Sequence, residues 1–209
     1  MPDWRVAICV NGYDGIKASL VSTLLDMGLC LGAHVDTKYL PILVPRLNGP
    51  TCLNAGISLA QEAIDAADVR EPLTHILWMD RDTVLTSDGA IRLLESVDPW
   101  HPAVFAVSRD PDHLDLPNLW TTSGERMTDW PDDTLVRVRS AGLAAAAFDA
   151  DLFYSLRQPW FRWQAEPGGN PQANVCYQFA EQRIPVFCHT GVTVRQAGKA
   201  PVYESGVKA

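Results

Sequence analysis

The sequence lacks the features that mark several protein classes. Its 209 residues contain no apolar run near the roughly 18 residues that a membrane-spanning helix needs, and no stretch resembles a secretory signal peptide. The five cysteines include no Cys-x-x-Cys pair, which argues against zinc or redox chemistry. We therefore expect a soluble protein of a reducing cytoplasm, with no membrane partner and with cysteines that serve as small buried side chains.

Basic residues are scarce as well. The chain has 17 Lys and Arg residues against 25 Asp and Glu residues, which gives a formal charge of −8, and the basic residues form no run. Binding to nucleic acid requires clustered Lys and Arg side chains that neutralise phosphates. The composition therefore disfavours nucleic acid as the main partner, although a local basic groove is compatible with it.

Short apolar runs alternate with helix-like patterns in the first half of the chain. Strands are predicted over residues 5–10, 39–44, 75–79 and 103–107, and helices over residues 16–31, 54–69 and from Thr86 or Ser87 to Leu94. This order predicts an α/β fold with an open, mostly parallel sheet. Ligands of such sheets bind at the carboxyl ends of the strands, where Asp14 and the Asp80/Asp82 pair lie.

The second half has a different pattern, with shorter runs and more Pro and Trp. Strands are predicted over residues 136–138, 144–148 and 186–194, and helices over residues 149–156 and 174–182. No linker separates the halves, so we expect one domain over residues 1–209. Its first half, residues 1–107, would be continued by an α+β half, residues 108–209, that covers the site.

The segment Asp80-Arg81-Asp82 admits three interpretations. The acids could cap a turn, or they could be the nucleophile and the acid/base of a haloacid-dehalogenase-like phosphatase. That phosphatase family also needs a downstream lysine, and this chain has none between Lys38 and Lys199. In the third interpretation the pair holds Mn²⁺ or Mg²⁺, which are cations that prefer oxygen ligands.

From Arg5 to Gly198, most of the chain resembles the GT-A glycosyltransferases of the family 2 type, particularly the short phage-type members. The segments that carry the resemblance are 5-RVAICVNGYDG-15, the helix that Asn54 opens, 76-ILWMDRDTVLTSDGAIRLL-94, 108-SRDPDHLDLPNLW-120, 142-GLAAAAFDADLFYSLRQPWF-161 and 174-NVCYQFAEQRIPV-186. The resemblance implies a GT-A-like fold whose Rossmann-like first half binds a nucleotide and whose second half binds the acceptor.

The resemblance also implies roles for particular residues. The donor, a nucleotide-diphosphate sugar such as a UDP-sugar, would contact Asn11, Asp14, Asn54, Asp80 and Arg109. The metal ligands would be Asp80 and Asp82, with His189 as a third candidate. Gly142 and the alanine run after it would back the acceptor site, Asn118 would flank the donor with Arg109, and Trp160 and Phe161 could form a platform for a sugar ring. The acceptor would be a glycan or a hydroxylated nucleobase of phage DNA.

Two positions depart from the family pattern. Inverting members carry an acidic pair at the start of the late helix, whereas residues 172–176 of this chain contain no carboxylate. An Asn cannot serve as a general base, so Glu166 in the preceding loop becomes the candidate. Asp149 or Asp151 could also supply the base, although both have the pattern of caps of the helix that follows. A late His often completes the metal site, and Gln196 stands at that place. A non-catalytic nucleotide-sugar binding protein is therefore the alternative to a transferase.

Overall fold

The computed structural model describes residues 4–11, 24, 26, 40–43, 72–80, 83–109, 116–156 and 173–196. The strands are β1 (Val6–Asn11), β2 (Leu40–Leu43), β3 (His75–Asp80), β4 (Thr83–Val84), β5 (Ala103–Val107), β6 (Leu119–Trp120), β7 (Leu135–Val138), β8 (Ser140–Ala141), β9 (Ala145–Asp149), β10 (Val186–Thr193) and β11 (Arg195–Gln196). The helices are α1 (Ser87–Glu95), α2 (Ala150–Ser155) and α3 (Ala173–Glu181).

Seven of these strands form one sheet in the order β2-β1-β3-β9-β5-β10-β7. Strands β1, β2 and β3 are parallel, and β3 and β5 are both antiparallel to β9, so they share a direction. Strand β10 is parallel to β5, whereas β7 closes the edge in the antiparallel sense. The predicted α/β class with a mostly parallel sheet is confirmed.

Helices cover both faces of the sheet. Alternate residues of each strand point to opposite faces, so Ile76 and Trp78 belong to one core cluster and Leu77 and Met79 to the other. The first cluster contains the apolar residues of α2 and α3, and the second contains those of α1. We call these the α2/α3 face and the α1 face.

Strand β9 belongs to the second half of the chain and lies in the middle of the sheet, between β3 and β5 of the first half. Its alanines, Ala145, Ala146 and Ala147, are fully buried between β3 and β5. Phe148 follows them, and its ring meets those of Phe105, Phe153 and Phe179 edge-on at centroid distances of 5.7, 5.5 and 6.0 Å. The second half therefore completes the sheet and shares its core, in addition to flanking the site.

The predicted helix starts agree with the observed caps. The Thr86 side chain accepts a hydrogen bond from the Gly89 amide at 3.0 Å, and Asp149 accepts one from the Asp151 amide at 2.9 Å. These bonds satisfy amides that have no partner within the first helical turn. The helices predicted over residues 16–31 and 54–69 lie outside the described residues, except that Leu24 and Asp26 are helical. None of the described helices is long and apolar enough to cross a membrane.

Candidate active site at the carboxyl edge of the sheet

Two of the predicted donor-site residues end neighbouring strands. Strands β1 and β3 run in register from the Val6–His75 pair to the Asn11–Asp80 pair. Asp80 is half-buried, and strand alternation places it on the α2/α3 face with Ile76 and Trp78. The parallel sheet therefore brings Asn11 and Asp80 together at one edge.

A single carbonyl oxygen accepts hydrogen bonds from Asp80 and from Thr83, the two described residues that flank positions 81 and 82. The Ala144 oxygen accepts a hydrogen bond from the Asp80 amide at 2.8 Å and another from the Thr83 hydroxyl at 3.0 Å. Thr83 is fully buried. Because a carbonyl oxygen has two lone pairs, one acceptor can tie residues three apart. We call the segment 80–83, of which the structure describes Asp80 and Thr83, the acidic turn.

The short ladder of β4 and β11 brings Gln196 to this turn. The two strands are antiparallel, with Thr83 opposite Gln196 and Val84 opposite Arg195. Gln196 is the position at which the sequence pattern led us to look for a metal-binding histidine. Because Gln196 is opposite Thr83, its backbone lies beside the carboxyl-terminal end of the acidic turn.

The structure does not bring His189 to Asp80. Strand β10 is separated from β3 by β9 and β5, and three spacings of about 4.8 Å place the two strands about 14 Å apart. His189 also points to the α1 face, because Cys188 before it belongs to the α2/α3 face. The sequence predicted His189 as a third metal ligand beside Asp80 and Asp82. In the structure, His189 lies too far from Asp80 for both side chains to bind one cation.

His189 has a local environment of its own. Its Nδ1 accepts a hydrogen bond from the Gly191 amide at 3.2 Å. Burial lowers the pKa of His189, and the nearby Arg92 guanidinium lowers it further, while Asp133 opposes both effects. Arg92 itself is paired with Asp133 at 2.6 Å and with Asp88 at 2.8 Å. Because its pKa is lowered, we expect His189 to be neutral at neutral pH.

Three chain segments meet beyond the carboxyl end of β5. The Asn118 backbone amide donates to the Ser108 carbonyl oxygen, and the Gly142 backbone amide donates to the Asn118 carbonyl oxygen, each at 2.8 Å. A Cβ atom on Gly142 would stand closer than 3.0 Å to the Ser108 Oγ and the Asn118 Nδ2. Ser108 and Asn118 are only 3% and 2% exposed. Gly142 is therefore required for close packing of two polar side chains.

The Ser108 hydroxyl has no hydrogen-bond partner among the described residues. Leaving a buried hydroxyl unpaired costs about 1–3 kcal/mol, so such groups are rare and often mark a site. Arg109 follows directly, is half-buried and forms a β-bridge with Pro117. The predicted donor residue Arg109 thus lies at the same sheet edge as Asp80, with β9 between their strands.

The remaining predicted site residues lie outside the described part of the chain. They are Asp14, Asn54, Asp82, Trp160, Phe161 and Glu166. The start of α3 is described, and its first turn contains no acid, as the sequence indicated. Cys176 in that turn is no substitute nucleophile, because burial raises the pKa of its thiol to about 12 and keeps it protonated.

Sequence reasoning gave no role to Thr83 or Ser108. Thr83 was visible only as the residue after the acid pair, and its contact with Ala144 joins positions 61 residues apart. Ser108 has no distinctive neighbours in sequence. Only the strand pairing shows that Thr83 and Ser108 lie at the same edge of the sheet as Asp80.

The donor chemistry of this edge fits a hard divalent cation. The described residues include no group of three His, Cys, Asp or Glu side chains that could hold a metal. A cation that is shared with a diphosphate does not need such a group, since Mg²⁺ is commonly held by one or two carboxylates together with substrate phosphates. Asp80 and Asp82 would supply those carboxylates.

Comparisons with known proteins bear on the fold. No protein-family model and no curated protein sequence matches the chain. Among solved structures, A197 from STIV is similar over 98% of this chain and 100% of that one, with a TM-score of 0.58 and 10% identity. The structure of GalNAc-T7 with UDP, GalNAc and Mn²⁺ matches 98% of this chain, with a TM-score of 0.53 and 11% identity. This chain has a GT-A-like fold.

A third structure has the same likeness. The Drosophila β1,4-galactosyltransferase 7 variant in complex with manganese, UDP-Gal and xylobiose matches 96% of this chain and 77% of its own, with a TM-score of 0.52 and 12% identity. The chain spans 45% of GalNAc-T7. The GT-A-like architecture predicted from the sequence is confirmed, and at these identities the likeness concerns the fold.

Proposed function

We propose that the protein is a metal-dependent glycosyltransferase that moves a sugar from a nucleotide-diphosphate sugar to an acceptor hydroxyl. The observation that carries this proposal is the acidic turn at the carboxyl end of β3. Asp80 stands beside Asn11 in the β1–β3 register, at the sheet edge where α/β folds bind nucleotides. The GT-A-like fold and the similar structures that contain UDP and Mn²⁺ support the same function.

The reaction is a displacement at the anomeric carbon of the donor. The acceptor oxygen forms a bond to that carbon, the bond to the diphosphate oxygen breaks, and the acceptor proton passes to a base. Asp80 and Asp82 would hold Mn²⁺ or Mg²⁺, which when bound neutralises charge on the leaving diphosphate. Asn11, Asp14, Asn54 and Arg109 would orient the donor, and Glu166 is our candidate for the base.

The acceptor is the least constrained part of the proposal. A glycan hydroxyl fits the similar structures that contain GalNAc or xylobiose. A hydroxylated nucleobase of phage DNA is the second candidate, and the charge of −8 counts against it. Transfer to modified duplex DNA, measured beside transfer to free sugars, separates the two. We place the protein in the cytoplasm, where nucleotide sugars and reduced thiols coexist.

Donor binding without turnover is the second candidate function. It is favoured by α3, which begins at Ala173 and has no carboxylate in its first turn. Such a protein would bind donor with metal and would neither transfer nor hydrolyse the sugar. Turnover of the donor by the wild type distinguishes the alternatives. If turnover is found, Glu166→Gln tests the base, because it should abolish turnover and leave donor affinity unchanged only if Glu166 is the base.

Nucleotide binding provides the test. We expect UDP or another nucleoside diphosphate with Mn²⁺ to raise Tm by roughly 5–10 °C at about 100 times its Kd, since that excess adds about 2.7 kcal/mol of stability. Asp82→Ala should remove most of this increase. The matched control is Asp132→Ala, which removes an exposed carboxylate from another turn. If no nucleoside diphosphate stabilises the wild type, or if both variants behave alike, the proposal is wrong.

A further inference from the structure

The Ser108 hydroxyl is a polar group at the carboxyl edge of the sheet that the fold does not explain. Ser108 follows β5 directly, and its carbonyl oxygen accepts a hydrogen bond from the Asn118 backbone amide at 2.8 Å. The residue is only 3% exposed, and its hydroxyl has no partner among the described residues. Because buried hydroxyls are nearly always hydrogen-bonded, this one is a candidate contact for a ligand.

The Asn118 side chain lies beside this hydroxyl. A Cβ atom on Gly142 would stand closer than 3.0 Å to the Ser108 Oγ and also to the Asn118 Nδ2, so these two atoms converge on one point. Asn118 is 2% exposed. A serine hydroxyl both donates and accepts, and a carboxamide has two donors and one acceptor. We call Ser108 and Asn118 the polar pair.

The polar pair lies at the same sheet edge as Asp80. Strands β3 and β5 share a direction with β9 between them, and two spacings of about 4.8 Å place their ends about 10 Å apart. Gly142 is two residues before Ala144, whose oxygen accepts from the Asp80 amide. Since the sugar of a donor is bonded directly to the diphosphate, a diphosphate at Asp80 would leave room for the sugar beside the polar pair.

The chemistry of the polar pair fits a neutral, hydroxylated ligand group. Neither side chain carries a charge, whereas phosphates and carboxylates are held most strongly by charged donors. Ligand sites commonly use a few polar groups of this kind to fix orientation. The Ser108 hydroxyl gives up no described hydrogen bond when it turns to another staggered position, and in this buried place water competes little with a ligand.

We propose that Ser108 is a specificity-determining residue, whose hydroxyl binds a hydroxyl group of the transferred sugar beside Asn118. It contacts the sugar alone and touches neither the nucleotide nor a cation. This inference rests on the proposed function, because it names the part of the donor that this edge recognises. A site that hydrogen-bonds a substrate hydroxyl rejects the analogue without that group, since a buried polar group is then left unpaired.

The variant Ser108→Ala removes the hydroxyl and nothing else. Because that hydroxyl has no described partner, the variant should keep the Tm of the wild type. Ser96→Ala is the matched control, since it removes the same atom from a half-buried serine whose hydroxyl donates to the Arg92 carbonyl oxygen at 2.6 Å. The control should lower Tm and leave every ligand affinity unchanged.

The measurement compares the Kd of a nucleoside diphosphate with the Kd of its sugar derivatives, by calorimetric titration with Mn²⁺. The probes are UDP, UDP-glucose, UDP-galactose and their N-acetyl derivatives, with GDP and GDP-mannose if UDP does not bind. We expect Ser108→Ala to bind the free nucleotide as the wild type does. It should bind the tightest sugar derivative about fivefold more weakly, which corresponds to the loss of one neutral hydrogen bond.

Deoxy analogues of that sugar derivative identify the hydroxyl that is bound. One analogue should bind the wild type about fivefold more weakly than the parent compound does, and it should bind Ser108→Ala as well as the parent does. If every deoxy analogue weakens binding to both proteins by the same factor, the Ser108 hydroxyl does not contact the sugar.

The outcomes separate this inference from the function on which it rests. If Ser108→Ala and the wild type bind every sugar derivative equally well, the sugar contact is wrong and the glycosyltransferase proposal stands. The contact is also wrong if Ser108→Ala weakens the free nucleotide as much as its sugar derivatives, or if only its Tm falls, which would assign the hydroxyl to packing or to an internal water. If no nucleoside diphosphate binds the wild type, the proposed function fails and the inference fails with it.

Discussion

Polar groups have different environments at the two ends of the parallel strands in the seven-stranded sheet. We call these ends the amino edge and the carboxyl edge. At the amino edge, before β5, the Asp98 carboxylate accepts from the Trp100 and His101 amides, both at 2.7 Å. Nearby, Asp149 caps α2, and Thr74 accepts from the Arg5 amide at 2.8 Å. Each of these groups has a partner, in a turn, at the start of a helix or, for Thr74, in the residue that precedes the neighbouring strand β1.

The carboxyl edge is arranged differently. Ser108 has a buried hydroxyl without a partner among the described residues. Because Gly142 has no side chain, the Ser108 and Asn118 side chains can pack directly against its backbone. Asp80, the first residue of the acid pair, ends β3 at this edge. This contrast is what we expect if the carboxyl edge holds the proposed donor site and the amino edge serves stability. Substitutions at the two edges should therefore differ in what they change.

The largest expected effect belongs to His75 at the amino edge. Burial against Trp4 and β9 lowers the pKa of His75 to about 4, from an ordinary value of 6.5. The folded state therefore binds fewer protons than the unfolded state. The contribution of neutral His75 to the free energy of unfolding is complete above pH 6.5. It falls by about 3 kcal/mol as the pH drops towards 4, at 1.36 kcal/mol per pH unit.

The variant His75→Gln separates this effect from that of the carboxylates. Glutamine stays neutral at every pH, so the acid titration of the other groups cancels when the two proteins are compared. Urea unfolding at pH 7 and at pH 4 should show the wild type losing about 3 kcal/mol more than the variant. An equal loss in both proteins would contradict a buried neutral His75. Nucleotide binding at pH 7 should not change.

Gly142→Ala tests the close packing at the carboxyl edge. The new methyl group would overlap the Ser108 Oγ and the Asn118 Nδ2, and overpacking of this kind costs about 2 kcal/mol. Ser108→Ala alone should cost nothing, because it removes a buried hydroxyl that lacks a described partner. In the double variant, part of the lost free energy of unfolding should return. Additive losses in urea unfolding would show that the two sites do not touch.

These residues also show what the sequence could reveal. Asp80, Asp149 and Thr86 were recognised because strand ends and helix caps are local signals, confined to a few neighbouring residues. The run Ala144 to Phe148 was recognised as a strand, but its antiparallel place between β3 and β5 was not. Partner choice depends on packing against distant residues, as the Phe148 and Phe179 contact shows.

For the same reason, the sequence predicts only part of the candidate site. Asn11 and Asp80 could be paired in advance, because parallel strands share an edge. The contact of Thr83 with Ala144 and the approach of Gly142 to Ser108 connect segments that are 61 and 34 residues apart. His189 and Gln196 are seven residues apart on β10 and β11, which belong to different sheets, and only the strand pairing shows that Gln196 is the one beside the acidic turn.

A smaller effect is expected from the cap of α2. Asp149→Ala removes the acceptor for the Asp151 amide and should lower the free energy of unfolding by about 1 kcal/mol. Asp149→Asn retains a capping oxygen and should lose only a fraction of that. Because the cap lies at the amino edge, both variants should bind nucleoside diphosphate and Mn²⁺ as the wild type does. Weakened binding would mean that the two edges are coupled through β9.

The smallest effect is expected from His189→Gln. The imidazole points to the α1 face, three strands from β3, and accepts only a 3.2 Å bond from the Gly191 amide in the described structure. Its removal should leave Mn²⁺ affinity in the presence of UDP unchanged, whereas Asp80→Asn should weaken it strongly, because a carboxylate ligand is lost. A loss of affinity in His189→Gln comparable to that of Asp80→Asn would require the two residues to meet. That result would overturn the assignment of the cation to the acidic turn alone, since about 14 Å of sheet separates the two strands.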